Sequence, residues 1–204
     1  MHGALRTVLA SAPLVLVAGC LVPADAPPES PDREAISTDH SSPSELIATY
    51  GAALTALDLD AYVALLEGPS DEGAGGFTFA SATESLDDFP WLAGDVFWSY
   101  EAEVAAIERL MDPAHEGPVS PVAAIDARLE VLNEIQEDFG FLVDARAAIS
   151  VLDVASREWI ADTRFHFLLV PDGDGYLRIR AMRELDVGHA ETWVRVKRRF
   201  SLTY

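Results

Sequence analysis

The sequence predicts an α+β domain in which N-terminal helices are followed by a long antiparallel sheet. Between Leu46 and Leu66, and again between Val104 and Met111, apolar residues recur every three or four positions, the spacing of one helix face. After Asp112-Pro113 the apolar period becomes two and stays so nearly to the end, which is typical of half-buried strands. The change of period marks the passage from the helical part to the sheet.

Each predicted helix has its own start signal. Ser42-Pro43-Ser44-Glu45 combines a Ser N-cap, a Pro at the first helical position and a Glu at the third, which predicts a capping box. Asp58-Leu59-Asp60 restarts a second, short helix, and Ser99 is placed to cap a third, with Glu101 and Glu103 in its first turns. The apolar stripes of the three helices comprise Leu46, Ile47, Tyr50, Ala53, Leu54 and Leu57; Tyr62, Val63, Leu65 and Leu66; and Val104, Ile107, Leu110 and Met111.

The period-two segments define the strands. A short alternation occurs at Phe77-Thr78-Phe79, and Pro171 to Gly175 reads as a hairpin turn between the last two long strands. The last alternation, Trp193 to Leu202, is interpreted as an extra strand or a trailing tail. The long strands are predicted over about 125–131, 142–154, 158–170 and 176–185.

The N-terminal segment has the features of an export signal. An apolar run from Thr7 to Ala18 follows Arg6 and ends at Leu16-Val17-Ala18-Gly19-Cys20, which contains the only cysteine. It resembles a bacterial lipoprotein signal, which implies cleavage before Cys20 and acylation of Cys20, palmitate included. The expected organisation is a signal peptide over 1–19, a lipidated Cys and disordered tether over 20–41, and one domain over 42–204. An ordinary signal peptide and a short buried helix remain the alternatives.

Location and charge limit the possible partners. Leu21 rather than Asp follows Cys20, so the resemblance implies a periplasm-facing anchor in the outer membrane, or in the plasma membrane of a Gram-positive cell. The net charge of −20 disfavours nucleic acid as a partner. The basic group at the end of the chain is interpreted as a solvated terminus or a counterweight to nearby acids; it comprises Arg195, Lys197, Arg198 and Arg199.

The order of elements is similar to that of the NTF2-like, or SnoaL-like, superfamily. The residues that carry the resemblance are Leu46 to Leu54, Leu57 to Leu66, the step Trp98-Ser99-Tyr100-Glu101, and the final hairpin. The resemblance implies a curved sheet wrapped around helices, forming a cone with a pocket at its wide end. Because this fold has many functions, the residues of the site have to decide the activity.

The comparison with ketosteroid isomerase, an enzyme of this superfamily, disfavours steroid-type isomerisation. Tyr50 matches the tyrosine that the family places on its first helix. The position of the catalytic base falls near Ala80 to Ala82, and that of the second acid near Phe167. By this alignment two of the three groups are missing, and loss of the base carboxylate removes general acid–base catalysis.

The remaining candidates form an apolar pocket and a charged outer sheet face. Aromatic side chains are expected to line the pocket, which suits ligand binding more than chemistry; the alternative is that they only fill the core. They are Tyr50, Tyr62, Trp91, Trp98, Tyr100, Phe165 and Phe167. The row facing the core is expected to contain Ala161, Thr163, Phe165, Phe167 and Leu169, with Leu177, Ile179, Ala181 and Leu185 on the partner strand. The opposite row is expected to form cross-strand ion pairs on a solvated or dimer-forming face, with a catalytic cluster of Asp162, Arg164 and His166 as the alternative; it comprises Asp162, Arg164, His166, Arg178 and Arg180.

We find no metal, cofactor or nucleophile signature in the sequence. Asp172-Gly173-Asp174-Gly175 starts like a calcium loop but continues with Leu177 and Arg183 where an EF-hand needs Gly and Glu. The expectation is a lipid-anchored, non-enzymatic NTF2-like domain that binds a small apolar ligand or an envelope partner. One alternative is a SnoaL-like isomerase or dehydratase with a rearranged site. The other is a structural or assembly lipoprotein acting through its outer sheet face, with a homodimer as one form of assembly.

Overall fold

The computed structural model describes residues 35–69, 76–80, 97–115, 119–185 and 191–201. The predicted signal peptide, the lipidation site Cys20 and the pocket candidate Trp91 lie outside these residues. No helix within the described ranges is both long and apolar enough to span a membrane.

Two helices open the domain, as the apolar spacing predicts. Helix α1 spans Pro43–Ala56 and ends where Leu57 adopts a left-handed conformation (φ 54°). Helix α2 spans Leu59–Ala64, and its N-cap Asp58 accepts a hydrogen bond from the Ala61 N–H at 2.9 Å. The predicted capping box on α1 is wrong in one respect. The Ser42 hydroxyl hydrogen-bonds the Ser44 hydroxyl and makes no side-chain cap.

Two short strands and a third helix follow. Strand β1 spans Thr78–Ala80, and strand β2 spans Phe97–Ser99 and pairs with it in antiparallel fashion. Helix α3 spans Tyr100–Met111, and the Ser99 hydroxyl accepts a hydrogen bond from the Ala102 N–H, as predicted.

Four long strands complete a six-stranded sheet in the order β2-β1-β6-β5-β4-β3. Their bounds are β3 Val122–Glu137, β4 Gly140–Asp153, β5 Glu158–Pro171 and β6 Leu177–Leu185. All neighbours are antiparallel except β1 and β6. Strand β3 is longer than the sequence predicts because it pairs with β4 as far as Gly140 (φ +148°). A side chain there would have its Cβ 2.0 Å from the Leu169 carbonyl oxygen, so this corner requires glycine.

The turn between β5 and β6 is confirmed as a hairpin connection. The Asp172 carboxylate accepts hydrogen bonds from the N–H groups of Asp174 (3.0 Å) and Tyr176 (2.9 Å). These two hydrogen bonds to the Asp172 carboxylate stabilise the turn.

Because of a β-bulge, the prediction of which β6 side chains face the core is partly wrong. The register between β5 and β6 shifts at Leu168 and Leu169, which inserts one extra residue into β6. Leu177 and Ile179 face the core as expected, but beyond the bulge Met182 and Glu184 point inward in place of Ala181 and Leu185. The prediction failed because a one-residue shift exchanges the two faces of a strand.

The last segment is a helix, so the prediction of a strand or tail is wrong. Helix α4 spans Trp193–Ser201, and the Thr192 hydroxyl accepts a hydrogen bond from the Arg195 N–H at 3.4 Å near its start. Its inner face is fully buried and consists of Trp193, Val196, Lys197 and Phe200. These positions have helical spacing, and burial against the sheet and α3 outweighs the weaker period-two pattern.

Residues 35–41, which the sequence assigned to the tether, contact the domain. The His40 carbonyl accepts a hydrogen bond from the Leu177 N–H at 2.7 Å, and the Thr38 carbonyl accepts one from Arg178 at 2.8 Å. Ile36 packs against the edge of the core. The compact unit begins at Ala35, seven residues before the predicted domain boundary.

Candidate functional site

The aromatic residues predicted to line a pocket converge inside the cone, where they pack against one another. The Tyr50 ring on α1 lies 5.2 Å from the Tyr62 ring on α2 and 5.9 Å from the Phe167 ring on β5, between centroids. The Phe165 and Phe167 rings are 5.6 Å apart. All four side chains are almost completely buried. Among the described residues, these four rings therefore form a continuous series of contacts at positions predicted to line a pocket.

The other two described pocket candidates lie at the side of this cluster. Trp98 on β2 is buried and its ring stands 5.7 Å from that of Phe79 on β1. Tyr100 is the first residue of α3 and is only partly buried. A ligand-binding role for these residues stays a prediction.

A chain of hydrogen bonds runs through the interior from α1 to α4. The Tyr50 and Tyr62 hydroxyls are 3.3 Å apart, and the Tyr62 hydroxyl donates to Glu103 Oε1 at 2.7 Å. Lys197 Nζ donates to both oxygens of Glu103, at 2.8 and 2.6 Å. We call Tyr50, Tyr62, Glu103 and Lys197 the buried network; none of the four side chains is exposed to solvent.

Aromatic rings surround the charged end of Lys197. Its Nζ lies 3.9 Å from the centroid of the Phe79 ring, 4.7 Å from that of Trp98 and 5.9 Å from that of Trp193. The negative faces of these rings add cation–π attraction to the ion pair with Glu103.

A second buried carboxylate holds the start of α4. The Glu184 side chain accepts hydrogen bonds from the backbone N–H groups of Trp193 (2.5 Å) and Val194 (3.0 Å). These N–H groups have no acceptor within the helix, and the positive end of the helix dipole favours a carboxylate there. The β6 bulge is what brings Glu184 to the inner face.

Burial changes the acidity of the interior groups. Desolvation raises the pKa of Tyr50 and Tyr62 well above their ordinary value, and the Glu103 charge adds to the effect. Desolvation also raises the pKa of Glu184, against the opposing hydrogen bonds from Val194 and Trp193. It lowers the pKa of Lys197, although Glu103 opposes the change.

Tyr50, Ala80 and Phe167 are the described residues at the positions that the family resemblance predicts for an isomerase site. Tyr50 lies on the first helix, and hydrogen bonds connect its hydroxyl to the Glu103 carboxylate through the Tyr62 hydroxyl. At the position of the second acid, Phe167 presents a hydrocarbon ring to Tyr50. Ala80 lies on β1, while the rest of the base position lies outside the described residues.

Sequence reasoning missed three interior residues. Glu103 was assigned to the helix dipole, although it stands four residues before Ile107 on the apolar stripe, a spacing that could have revealed its burial. The sequence pattern predicts that Lys197 belongs to a basic group at the end of the chain. The expectation of a solvated terminus is wrong for Lys197, whereas Arg199 does act as a counterweight, donating to Glu191 at 2.7 Å. No pattern in the sequence predicts that Glu184 points inward.

The outer sheet face contains the predicted charged row. Arg146 donates to the Asp162 carboxylate at 3.1 and 2.8 Å, and Arg164 binds the Asp144 carboxylate with two nitrogens. His166 Nε2 lies 3.9 Å from Asp144. These are pairs between neighbouring strands; Arg146, Asp162, Arg164 and His166 keep 43% or more of their side-chain surface exposed, whereas Asp144 keeps 15%.

The two arginines of β6 contact other parts of the domain. Arg178 binds the carboxylates of Asp39 (3.1 Å) and Asp172 (3.0 Å), so it fastens residues 35–41 to the hairpin turn. Arg180 makes a two-pronged contact with Glu67 at 2.6 and 2.5 Å.

An apolar row crosses the same face. Ile135, Leu142, Leu168 and Ala181 are direct partners in the register of four adjacent strands, β3 to β6. Ile135 and Leu142 are 48% and 42% exposed. We call these four residues the apolar row; a line of hydrocarbon on a polar face is a feature of interaction surfaces.

Within the described residues, no group of three or more His, Cys, Asp or Glu side chains is arranged to hold a metal ion.

Solved structures share this fold at low sequence identity. A candidate aromatic ring hydroxylase from Novosphingobium aromaticivorans matches with a TM-score of 0.52 at 9% identity, over 76% of this chain and 92% of that chain. A conserved protein from Planctomyces limnophilus matches with 0.51 at 11%, over 68% and 88%. A candidate dehydratase of the NTF2-like family from Streptomyces avermitilis matches with 0.51 at 13%, over 70% and 92%.

The comparisons define the fold and leave the activity open. No family model and no curated protein matches the sequence. The chain has an NTF2-like fold of α+β class, with helices packed on a curved, mostly antiparallel sheet, as the sequence predicts.

Proposed function

We propose that the protein is a lipid-anchored envelope protein whose NTF2-like domain is non-catalytic and associates with a second copy of itself through the outer sheet face. The observation that supports this most is the occupied interior. Side chains of α1, α2, α3 and α4 meet there in the buried network, so the working surface is sought outside the cone.

The state of Glu103 and Lys197 argues against catalysis. A general acid or base must come within hydrogen-bond distance of its substrate. Both oxygens of Glu103 are already engaged by Lys197, and neither side chain is exposed. The expected apolar ligand meets a similar obstacle, because the Tyr50 ring contacts both the Tyr62 ring and the Phe167 ring.

The charge balance of the outer face favours a second copy as the partner. The whole chain has 34 acidic and 14 basic residues, so most surfaces of two copies repel each other. The outward positions of β3 to β6 carry as many bases as acids: Arg128, Arg146, Arg164, Arg178, Arg180 and Arg183 against Asp126, Glu130, Glu137, Asp144, Glu158 and Asp162. A neutral face crossed by an apolar row can pair with itself around a two-fold axis without accumulating charge.

The anchor rests on the sequence of the leader. A single Cys20 after an apolar run and Ala18-Gly19 supports acylation at that position. Mass spectrometry of the membrane fraction tests it. We expect the N-terminal peptide of the mature chain to begin at an acylated Cys20, and the Cys20→Ser variant to lose the acyl mass. An unmodified Cys20 in the exported chain would reject the anchor.

Sedimentation analysis of the chain from residue 20, with Cys20→Ser for solubility, tests the association. We expect a dimer that Leu142→Asp converts to a monomer, because a charge in the apolar row is buried without a partner on pairing. Leu152→Asp is the matched control, since Leu152 is an outward, 38% exposed leucine on the same strand but outside the row. A monomeric parent protein, or an equal effect of both substitutions, would contradict the proposal.

The second candidate is a SnoaL-like isomerase or dehydratase with a rearranged site. The observation in its favour is the presence of Tyr50 at the family position, connected to a buried carboxylate through Tyr62. Native mass spectrometry of protein purified from its own host separates the two. A small molecule released on denaturation would favour a ligand site inside the cone, and a dimer without bound mass would favour assembly.

A further inference from the structure

The surroundings of Lys197 Nζ have the composition of a cation-binding site. Phe79 and Trp98 present their rings at 3.9 and 4.7 Å, and Glu103 supplies two oxygens at 2.8 and 2.6 Å. Aromatic faces combined with a carboxylate are the means by which proteins bind organic ammonium ions. A structural ion pair alone would need only the carboxylate.

Most of this cage is independent of the helix that supplies the lysine. Phe79 belongs to β1, Trp98 to β2 and Glu103 to α3, and the Phe79 and Trp98 rings pack against each other at 5.7 Å. Tyr62, on α2, holds Glu103 Oε1 with its hydroxyl. Helix α4 adds Lys197 itself and the more distant ring of Trp193. The walls therefore belong to one part of the fold and the cation to another.

We propose that Phe79, Trp98 and Glu103 form a binding site for small organic ammonium ions, and that Lys197 of α4 is its intramolecular occupant. An external alkylammonium ion takes the site when Lys197 is absent or displaced. The proposal concerns the interior of the cone and does not rest on the association of the outer face.

The structure defines which ion fits. Replacing Lys197 by Ala removes three methylene groups and the ammonium, which together correspond to n-propylammonium. The ion keeps the charge that Glu103 requires and the chain that fills the space, whereas 1-propanol supplies only a neutral chain of equal length. In the parent protein the tethered lysine competes at an effective concentration of about millimolar or more, so the external ion binds more weakly there.

The experiment measures thermal unfolding of the Lys197→Ala variant, in the otherwise unchanged chain, against n-propylammonium chloride. We expect a saturable rise in the midpoint of about 5 °C or more at a hundredfold excess over the Kd. Sodium chloride and 1-propanol at equal concentrations should have little effect. The double variant Lys197→Ala/Glu103→Gln, which keeps the aromatic walls and removes the charge, should lose the response.

Each other outcome has a defined meaning. Lys197→Ala that is unfolded alone and folds only with propylammonium supports the site; failure to fold at any propylammonium concentration overturns it. A folded variant whose response to propylammonium equals that to sodium chloride or to 1-propanol also overturns it. The parent protein should need at least about a tenfold higher concentration for the same shift. An equal response in the parent would mean that the ion binds elsewhere.

Discussion

The interior of the cone and the outer face of its sheet use the same kind of charged pair in opposite settings. Glu103 and Lys197 are fully buried, whereas Arg146 and Asp162 keep 62% and 43% of their side-chain surface exposed. Inside, the pair has lost its water and depends on Tyr62 and the aromatic rings for compensation. Outside, water screens each pair, and its main effect is to keep the face neutral. Whether an ion pair is buried therefore affects its contribution to stability more than the distance between its charged atoms does.

The largest effect is expected from breaking the interior pair. Glu103→Leu leaves Lys197 buried without its counter-charge, which should lower the free energy of unfolding by about 3–5 kcal/mol. Urea denaturation measures the change. Glu108→Leu is the matched control, because Glu108 is an exposed acid on the same helix and should change stability by less than about 0.5 kcal/mol. Equal losses in the two variants would show that the interior pair has no special role.

Tyr50 and Tyr62 make hydrogen bonds of different strength in the buried network, so we expect their substitution to cost different amounts of stability. Tyr62→Phe removes a hydrogen bond to a charged acceptor and should destabilise the protein by about 1.5–3 kcal/mol. Tyr50→Phe removes the longer bond between two hydroxyls, for which we expect about 0.5–1.5 kcal/mol. The same denaturation measurement compares them. A larger loss for Tyr50→Phe would mean that the network is ordered differently from the contacts described above.

The outer pairs should respond weakly. Arg146→Gln breaks the contact with Asp162 and should lower the free energy of unfolding far less than Glu103→Leu does, and less still in high salt. Measurements at low and high ionic strength give the screened part. A loss comparable to that of Glu103→Leu would remove the distinction between the two regions.

The dependence of stability on pH should have opposite signs in the two regions. Hydrogen bonds from Arg164 and Arg146 lower the pKa of Asp144 and Asp162, so their contribution is present above their ordinary pKa of 3.8 and is lost as pH falls through the folded value. Burial raises the pKa of Glu184, so its contribution is present below 4.5 and is lost as pH rises through the folded value.

Urea denaturation across pH separates these small contributions. Asp144→Asn/Asp162→Asn should flatten the curve below about pH 4, and Glu184→Gln should flatten it above about pH 4.5. The groups that face these acids are Arg164 and His166 for Asp144, Arg146 for Asp162, and Thr163, Lys197 and the α4 N-terminus for Glu184. Curves that keep the shape of the parent curve would contradict the assignment.

The same contrast explains what could be predicted from the sequence. Helices α1 to α3 and the long strands follow from periodicity, because each has one apolar face and a start or turn signal. The charged row of the outer face follows from alternation on β5. These features depend on local spacing, which the sequence displays directly.

The interior residues could not be predicted, because their positions depend on tertiary contacts that no local sequence pattern contains. The alternation around Trp193 and Val196 fits a strand and a helix alike, and packing against the sheet decides between them. The register shift at Leu168 and Leu169 exchanges the two faces of β6 beyond that point, and β6 contains no glycine or proline that would have indicated it. Lysine is usually a surface residue. Lys197 is buried together with Glu103, its ion-pair partner from a distant part of the sequence.

The residues of the buried network are far apart in the sequence, and this separation bears on when their contacts form during folding. Tyr62 and Glu103 are 41 residues apart, and Glu103 and Lys197 are 94 apart. Contacts so far apart close late, because the loops between them must first lose their conformational entropy. Until α4 docks, Lys197 cannot neutralise Glu103, so we expect the Glu103 carboxylate to stay hydrated until that step. We expect substitutions in α4 chiefly to speed unfolding and to leave the folding rate nearly unchanged.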